Sequence, residues 1–280
     1  MSWMSSVWRR CVAGGVLVAW LVCAAAAGGG LGAPRDVAFR AAVDGTTQRY
    51  VEMLPEPFDA ATTHHVLIAL HGHGSDRWQY VRAMRAECRA ARDAAARHGL
   101  VFVSPDYRAR TSWMGPKAEA DLVQLIADVR RRHKVGKVLL VGGSMGGASV
   151  LTFAALHPDL VAGVSSQNGL ANHVEYANFQ DAIAASFGGT KAEVPGEYRK
   201  RSAELRAEAL TMPVALTAGG RDTSVPPHSV VRLAERLERL RRPVLLLYRE
   251  RGGHSTNYAD TAAALDFVLR RALGGAATRR

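Results

Sequence analysis

The feature that most constrains this chain is a run of five apolar residues, 66–70, that passes directly into His71-Gly72-His73-Gly74. A run that is apolar at every position fits a strand covered on both faces, as in the middle of a parallel sheet, and the glycines mark a tight turn at its end. The pattern then repeats. An alanine-rich, helix-like stretch over 78–97 closes at His98-Gly99 and leads into a second strand, 100–104. Helical spacing of Leu122, Leu125, Ile126 and Val129 within 119–133 precedes a third strand at 138–141, and a helix at 148–156 stops at His157-Pro158. Further strands are expected at 161–165, 214–218 and 244–248, with helices at 227–240 and 258–273 between and after the last two. The fold class this predicts is α/β: a mostly parallel central sheet with helices on both faces, with 37–53 supplying an antiparallel edge pair. One domain is expected over 36–273, with a small cap or lid insertion at about 166–210 and a frayed tail at 274–280. In such sheets, function gathers beyond the carboxyl ends of the strands.

The first residues read differently. Arg9 and Arg10 precede an apolar run over 11–27, which is followed by small residues up to Pro34. This is the layout of a signal peptide, expected at 1–33 with cleavage after Ala27 or Ala33, and it implies an exported protein, periplasmic or secreted. At seventeen residues, the apolar run is short for a spanning helix, so no stable membrane partner is expected. Processing as a lipoprotein at Cys23 is disfavoured by the bulk of Val22. Two of the three cysteines lie in this leader, so the remaining Cys88 has no internal partner and reads as a small buried hydrophobe. The net charge of +11 leaves the chain basic. The arginine runs 130–132 and 232–242 fit solvated helix faces, and without interleaved aromatics they give no nucleic-acid module. A polyanionic substrate remains compatible with this charge.

Gly142-Gly143-Ser144-Met145-Gly146-Gly147 stands between an expected strand and an expected helix, which is the context that gives meaning to a G-x-S-x-G pattern. Glycines flank the serine because so sharp a strand-to-helix turn leaves no room for side chains, and the turn lifts the hydroxyl above the sheet. Asp222 in Gly219-Gly220-Arg221-Asp222 and His254 in Gly252-Gly253-His254 each follow a later strand, so three loops converge on one sheet edge. Serine is a weak nucleophile at neutral pH. A histidine is needed to take and return its proton, and a carboxylate to hold the imidazole in the right tautomer. The catalytic set expected is therefore Ser144, Asp222 and His254. The oxyanion of acyl transfer needs two preorganised donors, expected to be the backbone N–H groups of Met145 and His73.

These four segments resemble the α/β-hydrolase superfamily and, within it, prolyl-oligopeptidase-like and dienelactone-hydrolase-like secreted bacterial esterases. The resemblance covers 66–273. It implies the α/β-hydrolase fold, no cofactor, no metal, and cleavage of a carboxylic ester through an acyl-enzyme. The substrate class it suggests is an acetyl or feruloyl ester of small-molecule or polysaccharide-derived alcohols. Too few residues precede position 66 for the propeller that oligopeptidases of this type carry, which turns the expectation from peptidase toward esterase. Trp113, Asn168, His173 and Tyr176, with Asn172, fall on loops expected around the serine, and they serve either as substrate contacts or as lid packing. Arg108 and Arg110 are candidates for holding an acidic group. Three rival readings are a metal-dependent hydrolase built on His71 and His73, a non-catalytic binding protein of the same fold, and a serine peptidase acting on short peptides.

Overall fold

The computed structural model describes residues 29–274, so most of the leader expected at 1–33, with Cys11 and Cys23, and nearly all of the tail expected at 274–280 lie outside the described residues. Gly30–Leu31 (β1) is followed by Arg35–Arg40 (β2), Thr47–Met53 (β3), Pro55–Glu56 (β4) and His64–Leu70 (β5). Then come Gln79–Arg82 (α1), Ala86–Arg97 (α2), Val101–Pro105 (β6), Pro116–Arg132 (α3), Val135–Gly143 (β7) and Met145–Leu156 (α4). Gly163–Gln167 (β8), Gln180–Phe187 (α5), Pro195–Lys200 (α6) and a 3-10 segment at Ala203–Ala209 lead to Val214–Gly219 (β9), His228–Arg239 (α7), Val244–Arg249 (β10) and Tyr258–Leu273 (α8). Among these elements, no helix is long and apolar enough to cross a membrane.

The main sheet has eight strands in the order β10-β9-β8-β7-β5-β6-β3-β2. From β6 to β10 every pairing is parallel, and β3 alone runs against its neighbours β6 and β2. β1 pairs with β4 as a separate small ladder, so a chain cut after Ala27 keeps this pairing and one cut after Ala33 loses it.

Alternation along β5 explains why the sheet is covered on both sides. Val66, Ile68 and Leu70 enter the core shared with α3, α4 and α7, while Leu67 and Ala69 face the core formed with α2 and α8. Successive side chains of a strand point to opposite faces, so a strand apolar at every position must be buried twice. α4 is buried from Met145 to Ala155, which is why its sequence shows no polar stripe.

The chain visits β5, then β6 on one side, then β7 on the other, so the order reverses between β5 and β7. Crevices at such a switch point, beyond the strand ends, are where ligands bind in open α/β sheets.

The stretch expected as one helix over 78–97 is broken. α1 ends at Arg82, and Ala83 is extended at φ −67°, ψ 137°. The break leaves Gln79 and Arg82 on a short helix of their own, with Trp78 just before its first residue, beside the crevice.

Candidate active site

Ser144 stands between β7 and α4 at φ 58°, ψ −123°, a backbone state that L-residues adopt only under constraint from their surroundings. The constraint is visible: the Ser144 N–H donates to Gln167 O at 2.8 Å, tying the turn to the end of β8. Gly146 allows α4 to start against β5, because a Cβ there would strike the carbonyl oxygen of Leu70 and lie 2.8 Å from that of His71.

Asp222 and His254 come from the turns after β9 and β10. Those turns interlock through Gly220 N–H to Arg249 O at 2.9 Å and Arg221 N–H to Gly252 O at 2.8 Å. Gly219 permits this approach, since a Cβ there would collide with the carbonyl of Gly253 and lie 2.6 Å from that of Gly252. The result is a continuous hydrogen-bonded chain. Ser144 Oγ is 2.9 Å from His254 Nε2, and His254 Nδ1 is 2.6 Å from Asp222 Oδ2. The other carboxylate oxygen accepts from the N–H groups of Ser224 at 3.0 Å and Val225 at 2.9 Å. Asp222 is buried, while Ser144 and His254 are half-buried and reach an open cleft of about 700 Å3.

The turn after β5 lies beside Ser144. Gln79 Oε1 accepts the Gly72 N–H at 2.9 Å, and the Gly74 N–H donates to Arg110 O at 2.8 Å, so the turn is held at both ends. Between these bonds, the His73 N–H has no hydrogen-bond partner among the described residues. The Met145 N–H is the first of α4, which a helix leaves unpaired. Both donors are therefore free to receive an oxygen.

The structure separates the residues expected around the substrate. Asn168 lines the cleft, but its amide is engaged: it donates to Gly253 O at 3.3 Å, and its Oδ1 accepts from Thr217 and Thr256. It fastens the His254 loop to β8 and β9. Trp113 does not reach the cleft. It is fully buried, and its Nε1–H donates to His73 Nδ1 at 3.2 Å, which leaves the proton of a neutral His73 on Nε2. Tyr176 is buried and donates to Ser224 O at 2.7 Å, bracing the loop that carries Asp222. His173 is also wholly buried, with its ring against Trp113 and Phe187, and Asn172 donates to Glu204 at 3.0 Å. The expectation that Trp113, His173 and Tyr176 contact substrate is thus corrected. These large rings fill the space beneath the loops, where burying their area stabilises more than exposing it would.

The insertion is equally anchored. The buried guanidinium of Arg201 lies 2.8 Å from Glu119 and 2.9 Å from Glu197, and donates to Met114 O at 2.7 Å. Of the residues expected to form the insertion, Gln167, Asn168 and Phe179 line the cleft.

Other expected or rival groups are occupied elsewhere. Arg108 pairs with Asp44 at 2.9 Å and Asp121 at 2.8 Å, and Arg110 donates to Gly74 O at 2.7 Å. Both nitrogens of His71 face backbone carbonyl oxygens, Gly72 O at 2.9 Å and Asp106 O at 3.2 Å. Cys88 is buried in α2, and burial pushes its thiol up to about 12. Sequence reasoning missed Gln79, Trp78, Arg82 and Phe179, which form the cleft walls. Gln79 had a readable signal in its position shortly after the glycine turn; Phe179, at φ 53° before α5, had none.

Comparisons with known proteins agree with this architecture. The fluorophosphonate-binding serine hydrolase F of Staphylococcus aureus superposes with a TM-score of 0.64 at 19% identity, over 85% of this chain and 98% of its own. A ferulic acid esterase gives 0.65 at 16% identity, over 84% and 97%. A Bacteroides ovatus protein assigned as a dipeptidyl aminopeptidase IV gives 0.67 at 16% identity over 86% of this chain, which spans only 35% of that longer one. No curated protein matches the sequence. Residues 117–272, which carry Ser144, Asp222 and His254, match the prolyl oligopeptidase family. The chain belongs to that family and is an enzyme of the serine hydrolase type on an α/β-hydrolase fold.

Proposed function

We propose that the protein hydrolyses carboxylic esters through an acyl-enzyme on Ser144, with acetyl or feruloyl esters of carbohydrate-derived alcohols as its substrate class. The observation that carries the reading is the unbroken Ser144–His254–Asp222 chain opening into a cleft. His254 Nε2 accepts the Oγ proton as Oγ bonds to the ester carbon. The carbonyl electrons move to oxygen, where the N–H groups of Met145 and His73 and the positive end of α4 stabilise the charge. Collapse breaks the bond to the alcohol, which leaves with the proton from His254. Water then repeats the sequence and releases the acid. Asp222 keeps the Nδ1 proton in place and stabilises the imidazolium.

Two further observations support an ester with a ring-bearing acyl or alcohol part. Phe179 and Trp78 line the cleft, and aromatic faces suit sugar or phenyl rings. The ferulic acid esterase is matched over nearly its whole length. The expected leader supports a polymer-derived substrate outside the cytoplasm. A second reading, a peptidase acting on short peptides, is favoured by the family match and by the similarity to the Bacteroides protein.

The test is hydrolysis by the wild-type protein and the Ser144→Ala variant of p-nitrophenyl acetate, longer p-nitrophenyl esters, acetylated xylan, methyl ferulate and a prolyl p-nitroanilide. Ester cleavage that disappears in the variant is the expected result. Cleavage of the anilide alone would select the peptidase, and full activity in the variant would reject Ser144 as nucleophile.

A further inference from the structure

The cleft wall formed by α1 carries a cation that nothing in the proposed mechanism uses. Arg82 stacks on the indole of Trp78 with its guanidinium carbon 3.7 Å from the ring centroid. Its side chain makes no hydrogen bond or ion pair among the described residues. Its neighbour differs: Arg85 Nε lies 2.9 Å from Glu87 Oε1. Arg82, Arg85 and Glu87 all line the cleft, so the wall holds two guanidinium groups against one carboxylate.

The stack holds Arg82 in place, and its backbone is fixed as well. Arg92 donates to Tyr80 O at 2.7 Å and to Ala83 O at 3.2 Å, clamping the end of α1. A guanidinium stacked by its face keeps its in-plane N–H donors free, in the fork that matches a carboxylate. Gln79, which holds the Gly72 N–H, lies three residues before Arg82 on α1, so the cation and the support of the oxyanion turn share one helical turn.

We infer that Arg82 is a specificity-determining residue that selects esters carrying a carboxylate on the acyl or alcohol part near the scissile bond. This deepens the ester-hydrolase reading and rests on it. Arg108 and Arg110 do not compete for this role, because both are committed to partners within the protein.

The experiment compares charged and neutral esters in matched pairs. The alcohol arm uses 4-acetoxybenzoate against methyl 4-acetoxybenzoate, and the acyl arm uses 4-nitrophenyl hydrogen adipate against 4-nitrophenyl hexanoate. The readout is the ratio of kcat/KM, charged over neutral, in the wild type, Arg82→Gln, Arg82→Lys and Arg131→Gln. Arg131 lies at the end of α3 and is paired with Asp128, so its variant controls for the loss of one positive charge. In at least one pair, Arg82→Gln should lower the ratio roughly five- to tenfold, the value of one charge-assisted contact in a half-open site. Arg82→Lys should retain part of the preference, Arg131→Gln should match the wild type, and 0.5 M salt should shrink the effect.

Equal ratios in the wild type and Arg82→Gln for both pairs would overturn the inference. Calorimetric binding of adipate and benzoate to the Ser144→Ala protein, with and without Arg82→Gln, tests the same subsite without turnover. If the wild type cleaves none of the esters, the ester reading fails, and a severalfold loss of binding on Arg82→Gln still supports the anion site. Binding unaffected by that substitution would reject the site as well.

Discussion

His173 has no exposed surface, and neither ring nitrogen has a hydrogen-bond partner among the described residues. Burial, reinforced by the charges of Arg201 and Lys191, pushes its imidazole down to about 3. The unfolded imidazole titrates near the ordinary value of about 6.5. Between these values, the unfolded chain binds a proton that the folded one refuses, so stability falls as pH falls through this window and the effect is absent well above 6.5. From pH 7 to pH 5, the linkage relation gives a loss of about 2 kcal/mol from this one residue. His173→Leu replaces the imidazole with an apolar side chain that neither titrates nor leaves buried nitrogens unpaired. Urea unfolding of both proteins at pH 7 and pH 5 should show the variant losing about 2 kcal/mol less over that interval. At pH 7 the variant should be at least as stable, since a buried polar atom without a partner costs about 1–3 kcal/mol. An identical pH dependence in the two proteins would refute this account and would put His173 back in contact with solvent, where substrate could reach it.

Two further outcomes follow from the geometry around Ser144. In Asp222→Asn, the N–H groups of Ser224 and Val225 require an oxygen at the position of Oδ1, so the amide nitrogen turns toward His254 and forces its proton onto Nε2. Steady-state kinetics should then show kcat lower by roughly 10³–10⁴, with circular dichroism unchanged. Gly146→Ala places a methyl group against the carbonyls of Leu70 and His71, and the close packing of α4 on β5 gives it nowhere to move. A loss of about 3 kcal/mol or more is expected, read as a lower urea midpoint or a failure to accumulate soluble protein.

Local sequence was informative wherever one segment contained its own explanation. The glycines around Ser144 announce a turn that only small neighbours permit, and the strands apolar at every position announce a sheet covered twice. The positions of Asp222 and His254 followed from the same logic, as each comes just after a strand. The break in the helix expected over 78–97 was not legible, because Ala83, Met84 and Arg85 disrupt no helical pattern by their residue types. The aromatic residues of the loops misled for a related reason. A tryptophan on a loop after a strand has the same local sequence whether it faces the cleft or turns under it, and the difference for Trp113 depends on His73, His173 and Tyr176, which are far away in the chain.

The sequence alone therefore determined the doubly covered parallel sheet, the order of its elements and the identity of the three residues that meet above it. These rest on periodicity and on turns whose steric demands are met within a few residues. Only the tertiary structure decided what surrounds them: that Trp113, His173 and Tyr176 brace the loops from below, that Gln79 holds the glycine turn, and that Arg82 stacks on Trp78 at the cleft with no ion-pair partner among the described residues. Those assignments depend on which distant side chains compete for the same buried volume and the same charges, and that competition is settled only when the loops pack together.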